Sequence, residues 1–246
     1  MKCVFRGIYQ QVDQARFKMA QEEDLQEISK YLDSSQAITD KITYHVFDTR
    51  EGKQNADPNH SISRASARTE EMAIYRFWTT SDDPHFPHEI THLIAHAWAE
   101  PYEWETDLDT WDNKVIRKTI KMVSTSFMQE GLAIAVDDIV FHRRLLENGE
   151  LKFIDEWCQT QLDQIPTLDK CVNMAGFNSL ENKVVVPFSA SLSKYLLRQF
   201  GLPRYKNMYI QIKETFTPQQ NVAVIENVYQ KDQLTLLTEW EERLSA

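Results

Sequence analysis

Phe17, Leu25, Ile28 and Leu32 recur near helical spacing, with Glu22, Glu23, Glu27 and Lys30 between them, and predict a helix over 13–33. The pattern then changes period. Thr43-Tyr44-His45-Val46-Phe47 is rich in β-branched and aromatic residues and predicts a strand. Residues 50–63 are polar, carry Gly52 and Asp57-Pro58, and read as a long exposed loop. Apolar character returns within Ala65 to Trp78, where Met72 to Trp78 predicts a strand. Asp82-Asp83-Pro84 and Pro87 are helix-start signals, and a helix is expected from about Pro87 to Ala99, stopped by Pro101.

The second half reads differently. Residues 100–113 alternate acids with Tyr102, Trp104 and Trp111 and are expected to be a solvated loop or helix start, since their acids match no EF-hand spacing. Helices are predicted over 114–141 (one or two), 145–162, 189–200, 203–215 and 231–244, with a mixed stretch at 167–186. Gly201 and Pro203 stop the helix that reaches Phe200. Mixed α/β followed by mainly α predicts an α+β fold. No internal repeat interrupts it, and 246 residues lie within single-domain range. The expected organisation is one domain over 1–246, with an α/β lobe over 1–99 and a mainly helical lobe over 100–246.

Composition narrows the function classes. A formal net charge of −10 disfavours nucleic acid and anionic membrane as general partners. No run of eighteen apolar residues occurs, so no bilayer span is expected. Cys3, Cys158 and Cys171 are odd in number and form no C-x-x-C. With no apolar leader at Met1 to Gly7, they fit a reduced, cytoplasmic setting, a Cys158–Cys171 bridge being the alternative. Six glycines argue against phosphate-cradling loops.

The chemistry concentrates at His88-Glu89-Ile90-Thr91-His92, an H-E-x-x-H pattern. Two histidines four apart on a helix share a face and can grip one metal ion. The intervening glutamate can take a proton from water activated there. A catalytic zinc takes three protein ligands as a rule, so a third is sought. His96 continues the same face one turn further on, and no glycine follows His92 to turn the chain back; packing or support is its expected role. His85, just before the helix, is expected at the surface, with lining the cleft as the alternative, while His45, His60 and His142 lack context and are assigned to structure or surface. Glu130, in Ser126-Phe127-Met128-Gln129-Glu130-Gly131-Leu132-Ala133, is the better candidate. A carboxylate among apolar residues on a buried helix is costly unless paired or metal-bound.

H-E-x-x-H followed by F-M-Q-E-G-L-A resembles the gluzincin metallopeptidases, whose second motif is typically W-L-x-E-G-x-A; Phe127 and Met128 stand where tryptophan and leucine are usual. Ser189 to Gly201 looks like the family's G-x-S-F-x-x-Y-L-x-x-x-Y-G helix, and Val228 to Trp240 like the closing segment of compact peptidase-MA-like domains. The resemblance implies a zincin-like fold and a Zn2+ ion held by His88, His92 and Glu130, with Glu89 as general base. It implies hydrolysis of a peptide or protein substrate, with the strand near Met72 to Trp78 edging the cleft. Manganese and cobalt remain compatible with the ligand types.

Two departures qualify it. No G-x-M-E-N motif lies in Ala65 to Ser81, and Glu70 and Glu71 read as a solvated strand start, so an endopeptidase is favoured over an aminopeptidase. The oxyanion tyrosine of many relatives falls at Val185-Val186-Pro187-Phe188, where no hydroxyl exists. Tyr195, expected to pack in the core, and Tyr205, Tyr209 and His142 are the remaining candidates. A zincin-fold binding or regulatory module without catalysis is the alternative this leaves open.

Overall fold

The computed structural model describes residues 1–60, 63–98, 102–106, 116–120, 124–147 and 150–245. The chain opens with β1 (Lys2–Arg6), α1 (Gln11–Tyr31), a one-turn α2 (Gln36–Thr39), β2 (Thr43–Phe47) and α3 (Arg50–Ala56). β3 (Ala65–Arg68) and β4 (Ala73–Phe77) follow. The sheet order is β1-β2-β4-β3, with β1, β2 and β4 parallel and β3 antiparallel to β4. Parallel neighbours require a crossover, and α1 supplies the first one. Its apolar stripe buries Phe17, Ile28 and Leu32 completely, with Phe17 meeting Tyr44 and Trp78 at ring-centroid distances of 6.0 and 5.0 Å. β3 is the open edge of the sheet.

Next come α4 (His88–His96), the hairpin β5 (Tyr102–Thr106) and β6 (Ile116–Ile120), and α5 (Ser126–Phe141). β7 (Leu145–Glu147) and β8 (Glu150–Lys152) form a second hairpin before α6 (Ile154–Gln159), α7 (Met174–Ser179) and α8 (Asn182–Phe200). The chain closes with α9 (Leu202–Gln211), α10 (Pro218–Tyr229) and α11 (Gln233–Leu244). The architecture is α+β: mostly helical, with one four-stranded sheet near the N-terminus. Among the described residues no helix is long and apolar enough to cross a membrane. The three cysteines are free, and burial pushes the Cys158 and Cys171 thiols well up.

The helical half is built around α5 and α8. Gly131 permits their close approach: a Cβ there would stand 2.5 Å from the Ser189 carbonyl oxygen and 2.7 Å from Ser193 Oγ. The pair is also tied by a buried ammonium. Lys194 on α8 donates to Asp138 on α5 at 3.0 Å and to Asp155 on α6 at 2.5 Å. A buried lysine needs such partners, because an unpaired charge away from water is costly.

Several expected elements differ. The segment 50–63 is not an exposed loop: α3 is capped by Thr49 accepting from Gly52 N at 3.1 Å, and Lys53 and Asp57 are buried as an i,i+4 pair 3.4 Å apart. Polar residues paired with each other mimic a solvated stretch. The strand expected over Met72 to Trp78 is β4, and β3 precedes it after a turn in which Met72 has φ 50°. Residues 102–106 and 116–120 are strands where loop and helix were expected; 107–115 and 121–123 lie outside the described residues. The helix expected over 145–162 is a hairpin and then α6. Asn148-Gly149, which suits a two-residue hairpin, outweighs the apolar spacing there. α8 begins at Asn182 rather than Ser189, running through Pro187 and a β-branched valine run that read as non-helical. β1, α7 and α10 were not anticipated.

Candidate metal centre

The turn before α4 is clamped from two sides. Arg76 on β4 is buried between the rings of Phe17 and Phe86 and donates to the carbonyls of Pro84 at 2.6 Å and Asp83 at 2.8 Å. Burial lowers its guanidinium to about 10. From α1, the buried Asp24 accepts from His85 Nδ1 and Phe86 N, each at 2.8 Å, and Gln21 donates to the Pro84 carbonyl. His85 is therefore a scaffold residue beside the cleft. Asp82 and Asp83 act earlier than a helix cap: Asp82 accepts from Thr79 N at 2.9 Å and from Arg64, and Asp83 from His85 N. Pro87 stands at the N-cap and its carbonyl starts the helix.

α4 presents His88 and His92 from one face, with Nε2 atoms 3.1 Å apart. α5 packs against α4 and brings Glu130 across. Its Oε2 is 3.3 Å from His88 Nε2, and its Oε1 is 3.6 Å from His92 Nε2. The three ligand atoms lie within 4.8 Å of one another. Donors about 2.1 Å from a tetrahedral zinc stand about 3.4 Å apart; the two nitrogens are 3.1 Å apart, and each lies 3.3 or 3.6 Å from its own Glu130 oxygen, close to that figure. Two nitrogens and a carboxylate oxygen are also the donor set of catalytic zinc sites. The cluster is thus compatible with an H-E-x-x-H metal site. Glu89 lies beside it, buried to 8% exposure.

Electrostatics also favours a cation there. Burial pushes the His88 imidazolium down, but the adjacent Glu130 carboxylate outweighs burial and raises the ring to about 9. Burial would raise Glu130; the His92 and His88 rings prevail and hold it at about 2. His92 is lowered, by burial first and then by the charge of His88. Without a metal, the cluster keeps one proton on His88 as a partial substitute for the cation.

A cavity of about 690 Å³ opens over the cluster. Glu89 and Gln129 line it, as do β3 and the turn after it. No family model matches this chain, and no curated protein is similar to it. The site therefore stands on its geometry and the motif pair.

The other candidates fall out as follows. Phe188 is fully buried against Phe127 and Trp240 and does not face the cleft. Tyr195 donates to Glu239 at 2.8 Å, and the buried Tyr205 to Ser193 Oγ at 2.9 Å. Tyr209 has a buried ring, edge-on to Trp98, and is not among the residues that line the cavity. Its phenol is raised well above its ordinary value by burial, then by Tyr205 and the charge of Glu130. His142 closes α5 in a left-handed conformation, φ 51°, with an exposed side chain. His96 lines an adjoining cavity and is outside the ligand cluster. Asp137 and Asp138, on α5 beyond Glu130, are both buried. Asp138 binds Lys194; Asp137 is buried, raised to about 7 by burial against the opposing charges of His88 and Arg143, and its Oδ1 has no partner. His60, assigned to structure or surface, lines the cleft instead.

Proposed function

We propose that this chain is a zinc-dependent, zincin-like metallopeptidase of gluzincin type, organised as one domain and acting internally on peptides or a protein. The observation that carries the reading is the approach of Glu130 to His88 and His92, with Glu89 beside them. Zinc bound there would supply Lewis acidity and lower the pKa of water. His88, His92 and Glu130 hold the ion. Glu89 accepts a proton from the attacking water and delivers it to the leaving amine. β3, the open sheet edge lining the cleft, supports an extended peptide as ligand.

Replacing Glu89 with Gln should abolish hydrolysis of a peptide library while zinc content stays at the wild-type level. Unchanged turnover in that variant sinks the mechanism. No cleavage by zinc-loaded wild type, with peptide binding retained, would instead support a non-catalytic binding module.

A further inference from the structure

We propose that the wall of the cleft formed by β3 and the turn after it is a subsite for a cationic side chain, lysine or arginine, of the bound peptide; this rests on the peptidase reading of the cleft. Asp57 is fully buried behind the wall and accepts from Arg68 at 2.9 and 3.1 Å, from Ser66, and from His60 Nδ1 at 3.2 Å, with Lys53 Nζ 3.4 Å away. Burial would raise its carboxyl, yet these partners hold it far below the usual range. An ionised carboxylate only accepts, so Nδ1 of His60 carries the proton. Nε2 is the far edge of this half-exposed side chain, which lines the cavity.

The cations behind this wall are already spent. Lys53 is buried against Asp57 and the His60 carbonyl, and Arg68 joins Asp57 to Glu71 at 3.1 Å. Glu71 also accepts from Tyr75 at 2.9 Å. Glu70 alone among these acids is exposed, faces the cleft and has no ion pair. Lys41 borders the adjoining cavity that Glu70 also lines, and the two form no ion pair. Among the described residues the wall therefore offers an exposed carboxylate with no ion pair, Glu70, in the same lining as the His60 ring. A donor-rich positive group is its complement.

The test uses the full zinc-loaded chain carrying Glu89→Gln, so that binding is read without turnover. A short acetylated and amidated peptide is scanned with lysine, norleucine or glutamate at each position in turn. At one position lysine should bind about tenfold tighter than norleucine, the size of one partly desolvated charge pair. Glu70→Gln should erase that preference. His60→Ala should weaken lysine binding, and His60→Gln should recover part of it. Glu71→Gln should leave the preference in place. Equal binding of lysine and norleucine at every position, a preference for glutamate, or no peptide binding at all overturns the subsite. Wild-type cleavage of the same peptides without any lysine preference overturns the subsite alone. Lysine preference in binding with no wild-type cleavage overturns the peptidase reading and leaves the subsite standing.

Discussion

Replacing Gly131 with alanine presses a methyl group into the close contact between α5 and α8. The new Cβ would lie 2.5 Å from the Ser189 carbonyl oxygen, 2.9 Å from its carbon and 2.7 Å from Ser193 Oγ. The serine hydroxyl can rotate away; the α8 backbone cannot. Reaching ordinary contact requires α5 and α8 to part by about 0.8 Å, and overpacking of this kind costs about 1–3 kcal/mol. Alanine returns about 1 kcal/mol of helix propensity over glycine, so the net loss is at most about 2 kcal/mol. For a chain of this length that lowers the melting temperature by up to about 8 °C. The displacement also reaches the site, because Glu130 is the preceding residue and must meet His88 and His92 across α4. Zinc affinity should fall at least about tenfold, as for other changes that misplace a ligand by a fraction of an ångström. Differential scanning calorimetry and a competitive zinc titration read the two effects on one sample. A Gly131→Ala protein that melts at or above the wild-type temperature and binds zinc undiminished would refute the packing argument.

Two further results should follow. Zinc must displace the proton that Glu130 keeps on His88, whose metal-free ring titrates at about 9. Apparent affinity should therefore rise about tenfold per pH unit from about 7 towards 9 and then flatten, and calorimetry in buffers of different ionisation enthalpy should record about one proton released near pH 7.5. The same pair fixes the metal-free protein's own pH response. His88 is raised, so its contribution to stability is present below its ordinary range and lost as pH rises through about 9. Glu130 is lowered, so its contribution is present above its ordinary range and lost as pH falls through about 2.

What the sequence made legible was the chemistry and its nearest scaffold. His88 and His92 follow from helical spacing, and Glu130 from the cost of leaving a carboxylate among apolar residues. α1 and β2 follow from clean periodicity. The passages that misled share one physical cause: pairing of polar groups is invisible along the chain. Lys53 and Asp57 are buried because they neutralise each other within α3 and its end, so a polar stretch read as solvent-facing. Asp138 likewise pairs with Lys194, fifty-six residues away, which no spacing along the chain shows. Local chemistry was also overridden by packing. α8 tolerates Pro187 and three successive valines because one face seals the core against α5 and the other against α6 and α11. Some signals were present but passed over. Asn148-Gly149 marked the β7–β8 hairpin, and Thr217-Pro218 with Gln220 marked the start of α10, where the capping box is formed in full.

The central claim is that His88, His92 and Glu130 hold one metal ion. Elemental analysis of the purified chain beside its Glu130→Ala variant tests it most directly. The expected result is one equivalent of zinc per chain, retained in Glu89→Gln and lost in Glu130→Ala. Metal well below one equivalent in the wild type after zinc loading, or the same content in both proteins, would contradict it.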